Sequence, residues 1–293
     1  MRQVDLHTHS NKSDGSYSPV ELVDYAVTKG LSAIALTDHD TTDGLTEAIA
    51  HAKSLALAGQ PSVEVVPGIE FSTKHEEKDV HIVGLYIAYD SPGFHGKLQE
   101  FVDSRTGRNI KMCNNLRTAG IDISYAKLQE RNPDAVITRA HYASFLFEEG
   151  YVKSRQDAFA QYLGDHTKYF VPREKVTPTQ AVSLILEAGG IPILAHPPLY
   201  HMGHERLDRL VSSLKNAGLM GIEALYCTYT HQDERDMMRL ADRYDLLLSG
   251  GSDFHGANKP NLDLGTGYGR LFVPEEFLDR LKNARNQLNP ASS

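Results

Sequence analysis

The chain has no tryptophan, only two cysteines, and no apolar run long enough to cross a bilayer. Each shortage narrows the field. Cys113 and Cys227 are too few for a disulfide framework, which points to a reducing, cytoplasmic setting. A membrane span needs roughly 20 consecutive apolar residues, and the opening MRQVDLHTHS carries no apolar signal region. Positive charge is not in excess either: 30 Lys and Arg stand against 38 Asp and Glu, a formal net charge of -8. That balance argues against broad nonspecific nucleic-acid binding and against a stable nucleic-acid complex, but it leaves room for a local phosphate site. At 293 residues, 41% hydrophobic and 23% charged, the chain has the composition of a globular protein. Its length suits one barrel-sized domain or two smaller ones.

What the chain has in number is histidine, 14 residues, and their placement carries more than their count. VDLHTHSNKSDG, residues 4–15, reads as a strand running into His7, Thr8 and His9, with Asp14 close behind. Residues two apart on a strand point to one side, so His7 and His9 aim at a common point, as ligands of a divalent cation do. The first third then alternates strand and helix. SPVELVDYAVTKG has Ser18 to cap a helix, Pro19 to open it and Gly30 to stop it. LSAIALTDHD reads as a buried strand ending in polar residues, and VEVVPGIEFST and VHIVGLYIA as two more. From about Gly93 to Tyr169 the strand signal fades and helical segments take over. Strands then alternate with helices again through IPILAHP, LMGIEALY and LLLSGGSDFHG. This pattern predicts an α/β fold with a mostly parallel sheet or barrel, and a helical insertion at 93–170 dividing a domain formed by 1–92 and 171–293.

The strand ends share a chemistry. His7 and His9 end the first, Asp38, His39 and Asp40 the second; Glu70, His81, His196, Asp253 and His255 mark later ones. In parallel α/β folds, sites gather at the C-terminal edge of the strands. Taken singly, several of these residues have ordinary structural explanations. Asp14 before Gly15 suits a turn, Glu70 suits an ion pair, and His196 before Pro197 suits a strand cap. Jointly they point to a metal cluster, because burying so many titratable groups without cations is costly. His51, His75, His95, His166, His201, His204 and His231 have no such placement and are expected at the surface, with His75 a rival to His81.

The segments DLHTHSNKSDG, ALTDHDTTDG, GIEFS, VHIVGLYI, ILAHP and GGSDFHG, in this order, resemble the PHP (polymerase and histidinol phosphatase) family. Within it the chain resembles the stand-alone bacterial phosphoesterases that act on nucleotides and short RNA ends. The resemblance covers nearly the whole chain and implies a distorted (β/α)7 barrel with a helical insertion. It also implies two to three divalent transition-metal ions, Mn, Fe or Zn. His7, His9, Glu70 and Asp253 would hold one; Glu70, His81 and His196 a second, with Glu70 shared; Asp14, His39 and His255 a third. Six neutral histidines, three carboxylates and three divalent ions would leave the site at about +3 inside an acidic protein, a target for an anionic substrate.

The insertion supplies cations for the rest of such a substrate. ITRAHYA resembles the family's Arg-Pro-His segment, with Ala140 in place of the proline, and YLGDHTKYFVP resembles its lysine-containing segment ahead of YVP. By that resemblance Arg139 and Lys168 grip a phosphate and His141 lies close by, with Arg108 a further candidate. Arg105 and Arg117 are expected on a solvated helix face. The family tends to place a tryptophan after YVP; this chain has none. The expected activity is metal-dependent hydrolysis of a nucleotide phosphate ester, with His196 or Asp253 handling protons. The 3'-phosphate of 3',5'-bisphosphonucleotides and the 5' ends of short oligonucleotides are the leading substrates. A 5'-3' exonuclease, a histidinol-phosphate-like phosphatase and a non-enzymatic metal-binding scaffold are the alternatives.

Overall fold

Ser18 opens the first helix as the sequence suggests: its side chain accepts from the Glu21 amide, Glu21 reaches back to the Ser18 backbone, and Pro19 takes the first helical position. Such reciprocal caps satisfy amides that would otherwise lack partners. The computed structural model describes residues 2–76, 78–172 and 177–288. Its first part runs β1 (Gln3–Thr8), α1 (Pro19–Thr28), β2 (Ala33–Leu36), α2 (Leu45–Leu57), β3 (Glu64–His75) and β4 (Lys78–Leu85). The helices α3 (Pro92–Arg117), α4 (Tyr125–Arg131), α5 (Arg139–Glu148) and α6 (Arg155–Ala158) follow, the last running into a π-helical turn at Phe159–Leu163. Alternation then resumes with α7 (Pro178–Glu187), β5 (Ile191–Leu194), α8 (His204–Asn216), β6 (Gly221–Tyr226), α9 (His231–Tyr244), β7 (Leu247–Gly251), β8 (Val273–Pro274) and α10 (Glu275–Leu288).

The strands form one sheet in the order β7-β6-β5-β4-β3-β2-β1-β8. It curls almost into a barrel. Just past β7, the Asp253 amide donates to the His7 carbonyl at 2.9 Å, and the His9 amide donates to the Phe254 carbonyl at 3.0 Å. Gly251 makes that closure possible: a Cβ there would collide with the backbone and Cβ of His7. The fold is thus the α/β barrel expected, with two departures from a uniformly parallel sheet, the first being the short edge strand β8, which runs antiparallel to β1. The second is β4, which runs antiparallel to both β3 and β5. No helix lies between β3 and β4 to carry the chain back, so they pair as a long hairpin. The reversal brings the first half of β4, with Asp79 and His81, to the rim where the parallel strands end.

Two apolar cores form. One fills the barrel and its surrounding helices and takes in Phe94, Leu98 and Phe101 of α3. The other lies among the inserted helices and takes in Met112, Cys113 and Leu116 from the far half of α3, with Tyr142, Leu146 and Leu163. Among the described residues no helix is long and apolar enough to cross a membrane.

Candidate metal centre

Glu70 is the hub. Its side chain is buried on β3, and its two oxygens face five imidazoles. Oε2 lies 3.2 Å from His7 Nε2, 3.3 Å from His9 Nε2 and 3.0 Å from His39 Nδ1. Oε1 lies 2.8 Å from His81 Nδ1 and 3.1 Å from His196 Nε2. These residues come from five different strand ends or strands, brought together by the barrel rim. Bulges in β1 between Asp5 and Thr8, and in β6 between Glu223 and Leu225, break the regular register beside the site, as bulges do where a side chain is re-aimed. Asp40, His196 and Asp253 all adopt left-handed backbone, at φ of 52°, 31° and 54°. Each such residue costs of order 1–3 kcal/mol, which the surrounding structure must supply.

Around the hub three groups of side chains place ligand-type atoms close enough to share an ion: His7, His9 and Asp253; His39, Glu70 and His81; and His9, Asp14, His39 and His255. All nine residues expected as ligands therefore meet in one basin. The groupings are not quite those implied by resemblance, since His9 and His39 each belong to two, and His196 joins through Glu70.

The donor chemistry fits cations. His7 Nδ1 is 2.9 Å from Glu223 Oε1, so a neutral His7 spends its proton there and turns a bare Nε2 lone pair toward Glu70. His255 is fixed alike, with Nδ1 2.8 Å from its acceptor, the Asp253 carbonyl, and Nε2 toward Asp14. Lone pairs facing carboxylate oxygens at about 3 Å repel unless a proton or cation lies between them. Consistent with that, His7 Nε2, His9 Nε2 and Asp14 Oδ1 are buried with no hydrogen-bond partner among the described residues. Electrostatics says the same. Burial alone would push His9 down, yet Asp253 and Glu70 raise it to about 9. Burial would push Glu70 up, yet His39, His7 and His81 hold it well below the usual carboxylate range. Without metal, the carboxylates draw protons to His7, His9 and His81, while burial holds His39 and His255 below their usual range.

Several partners were not anticipated from sequence. Glu223, buried on β6, accepts from His7 and, at 2.7 Å, from the His196 amide. Asp253 Oδ2 accepts from Tyr226 at 2.7 Å and from Lys259 at 2.5 Å, leaving Oδ1 toward His9. Asp38 accepts from the Ser10 amide and from the hydroxyls of Ser10 and Ser13, bracing the loop that carries His9 and Asp14.

A cavity of about 190 Å³ opens beside the basin, lined by Asp14, His39 and His81 together with Arg105, Arg108 and Arg139. Arg139 ion-pairs with Asp79 and, at 2.7 Å, with Asp165. Lys168 is exposed and lies 5.0 Å over the Tyr169 ring rather than on the cavity wall. His141 is buried; its Nδ1 accepts from the Thr138 amide at 3.0 Å in a capping box of α5, so it serves the helix start rather than lining the cavity. Arg105 corrects the expectation of a solvated face. It is 4% exposed, because α3 leans over the barrel rim there and its guanidinium forks onto the buried Asp40. Arg117 is exposed as expected, and His75 sits 3.8 Å from Glu76 away from the basin.

Residues 5–170 match the PHP domain. The chain belongs to the PHP family. It is 37% identical over 254 residues to a 5'-3' exoribonuclease of Haemophilus influenzae, a match covering 87% of this chain and 90% of that protein. It is 34% identical over 267 residues to a 3',5'-nucleoside bisphosphate phosphatase of Chromobacterium violaceum, covering 90% of this chain and 91% of that one. A solved structure from Bifidobacterium adolescentis, described as a metal-dependent phosphoesterase, superposes with a TM-score of 0.82 at 26% identity over 97% of this chain and 96% of its own. This PHP protein is a metal-dependent phosphoric ester hydrolase.

Proposed function

We propose that this PHP protein removes a phosphate from a nucleotide, with the 3'-phosphate of 3',5'-bisphosphonucleotides as the preferred ester. The observation that carries this reading is the shared cavity: metal-type ligands and guanidinium groups line one space. A substrate with two phosphates suits that pairing. Divalent ions held by His7, His9, Asp14, His39, Glu70, His81, His196, Asp253 and His255 would neutralise the phosphoryl oxygens and the leaving oxygen of the ester being cleaved. Two or three of Mn, Fe or Zn suit this mixed imidazole and carboxylate set. Arg108 and Arg139 would hold the other phosphate, Arg139 through its planar fork once Asp79 or Asp165 yields it. Phe159 and Phe170 line the same cavity and add apolar surface that a base could contact. Of the two proton-handling candidates, Asp253 is fixed by Tyr226 and Lys259. His196 contacts Glu70 through Nε2 and leaves Nδ1 without a partner among the described residues, which favours His196 for moving the leaving-group proton.

The relative named as an exoribonuclease supports a second reading, cleavage at the 5' end of a short RNA, in which the same cations would hold a terminal phosphate. A cytoplasmic, small-substrate enzyme without a stable nucleic-acid complex fits both readings. Rates with added Mn, with and without chelator, separate them: a 3',5'-bisphosphonucleotide, a 5'-phosphorylated oligonucleotide, histidinol phosphate and a generic aryl phosphate form the panel. The bisphosphonucleotide should show the highest kcat/KM. A higher value on the oligonucleotide would transfer the assignment to the second reading, and no chelator-sensitive hydrolysis of any of the four would remove both.

A further inference from the structure

Two side chains of the inserted helices reach back to the barrel and end on the same part of the basin. Arg105 of α3 donates through Nε to Asp40 Oδ2 at 2.8 Å, with Nη2 on the same oxygen, and Nη2 also donates to Ser72 Oγ at 2.7 Å. Asp40 follows His39 directly, and Ser72 Oγ lies 3.4 Å from His39 Nδ1. Thr138, the cap of α5, accepts from the Ala140 amide and donates to Asp14 Oδ2 at 3.0 Å. That bond occupies Oδ2 and leaves Asp14 Oδ1 without a hydrogen-bond partner among the described residues, 3.1 Å from His255 Nε2. His39, Asp14 and His255 belong to one group of ligand-type atoms and His39 also to a second, with Glu70 and His81; Thr138 bonds Asp14 directly, whereas Arg105 reaches His39 through Asp40 and Ser72.

We propose that Arg105 and Thr138 are positioning residues through which the helical insertion sets His39 and Asp14, so that the metal positions sharing those two ligands depend on the insertion and the position at His7 and Asp253 does not. The proposal rests on the metal reading above. Its physical basis is the form of the two contacts. Asp40 is wholly buried in left-handed backbone, a conformation that persists only where neighbours fix it. A buried Arg–Asp pair is no more stabilising than apolar side chains of the same size would be, but its fork holds one geometry. A carboxylate anchored through one oxygen presents the other in a fixed direction, and losing such an anchor typically costs 10- to 100-fold in metal affinity. His7, Asp253 and His81 take no hydrogen bond from Arg105 or Thr138 in the described contacts; Glu223, Tyr226 and Lys259 brace the first two from within the barrel.

The test uses the full chain stripped of metal and titrated with Mn by calorimetry. Thr138→Val keeps the shape and removes the donor; Thr138→Ser restores it; Arg105→Lys keeps the charge and loses the fork. We expect Thr138→Val to weaken the Mn position at Asp14 and His255, and Arg105→Lys the positions that share His39, each by roughly 10- to 100-fold, with the position at His7 and Asp253 unchanged and Thr138→Ser close to wild type. Equal weakening at all positions, or wild-type titrations in Thr138→Val, would overturn the proposal. If Arg105→Lys fails to fold, the Thr138 pair decides alone. A wild-type protein that binds no Mn, Zn or Fe would overturn the metal reading itself, which the variants' site-selective loss cannot mimic.

Discussion

Glu223→Gln is the sharpest probe of the basin, because the two side chains have nearly the same shape. Glu223 accepts two hydrogen bonds with two different oxygens, one from His7 Nδ1 at 2.9 Å and one from the His196 amide at 2.7 Å. A glutamine has one oxygen and one amino group, so it satisfies only one of these donors. If its oxygen keeps the His196 amide, its amino group faces His7, which must then accept at Nδ1 and carry its proton on Nε2. That is the nitrogen directed at Glu70 and Asp253, and a protonated nitrogen is no metal ligand. If the oxygen keeps His7, a buried backbone amide at left-handed His196 faces another donor. Either outcome costs about 1–3 kcal/mol, the size of one unmade buried hydrogen bond, or roughly 5- to 140-fold in affinity at 1.4 kcal/mol per decade. Calorimetric Mn titration should therefore show one position weakened by that range. Wild-type Mn affinity in the variant would refute the claim that Glu223 sets the His7 tautomer.

Replacing His9 by alanine, His9→Ala, removes a nitrogen shared by two groups of ligands, so bound metal measured by elemental analysis should fall and turnover should be lost with the fold retained by circular dichroism; near-normal rates would exclude His9 as a ligand. Arg139→Ala should lower kcat/KM on a 3',5'-bisphosphonucleotide by one to two decades, from a charged hydrogen bond of roughly 1.5–3 kcal/mol. The loss on a monophosphate should be smaller, and equal losses would mean that Arg139 does not hold the spare phosphate. Gly251→Ala drives a methyl group into the His7 backbone; overpacking of about 1–3 kcal/mol should lower Tm by roughly 2–10 °C in a thermal melt, and an unchanged Tm would mean the barrel closure is looser than described.

Much of the centre was legible because its signals are local. An apolar run of four to six residues that ends in histidine or aspartate announces both a strand and its rim, and His7, His9, His39 and Asp253 were found that way. Glu70 stood out for the same reason. Glu223 did not: it lies inside LMGIEALY, where a lone acid among apolar neighbours was the available clue to a buried partner. Arg105 was misread because its partner Asp40 is 65 residues away, and nothing in the spacing of α3 points to it. The reversal of β4 was within reach, since two strand-like runs with no helix between them imply a hairpin. His141 caps the start of α5 through Thr138, a contact its position three residues on allows but its residue type does not announce.

α3 belongs to both cores, its first half packed on the barrel and its second half inside the insertion. In mechanical terms it is a cantilever: one unbroken beam of 26 residues, about 39 Å long at 1.5 Å per residue, rooted at one end and carrying the roof at the other. A single unbroken helix therefore ties the barrel core to the core of the insertion. Arg139 at the start of α5 ties them a second time at the cavity wall, through its ion pair with Asp79 of β4.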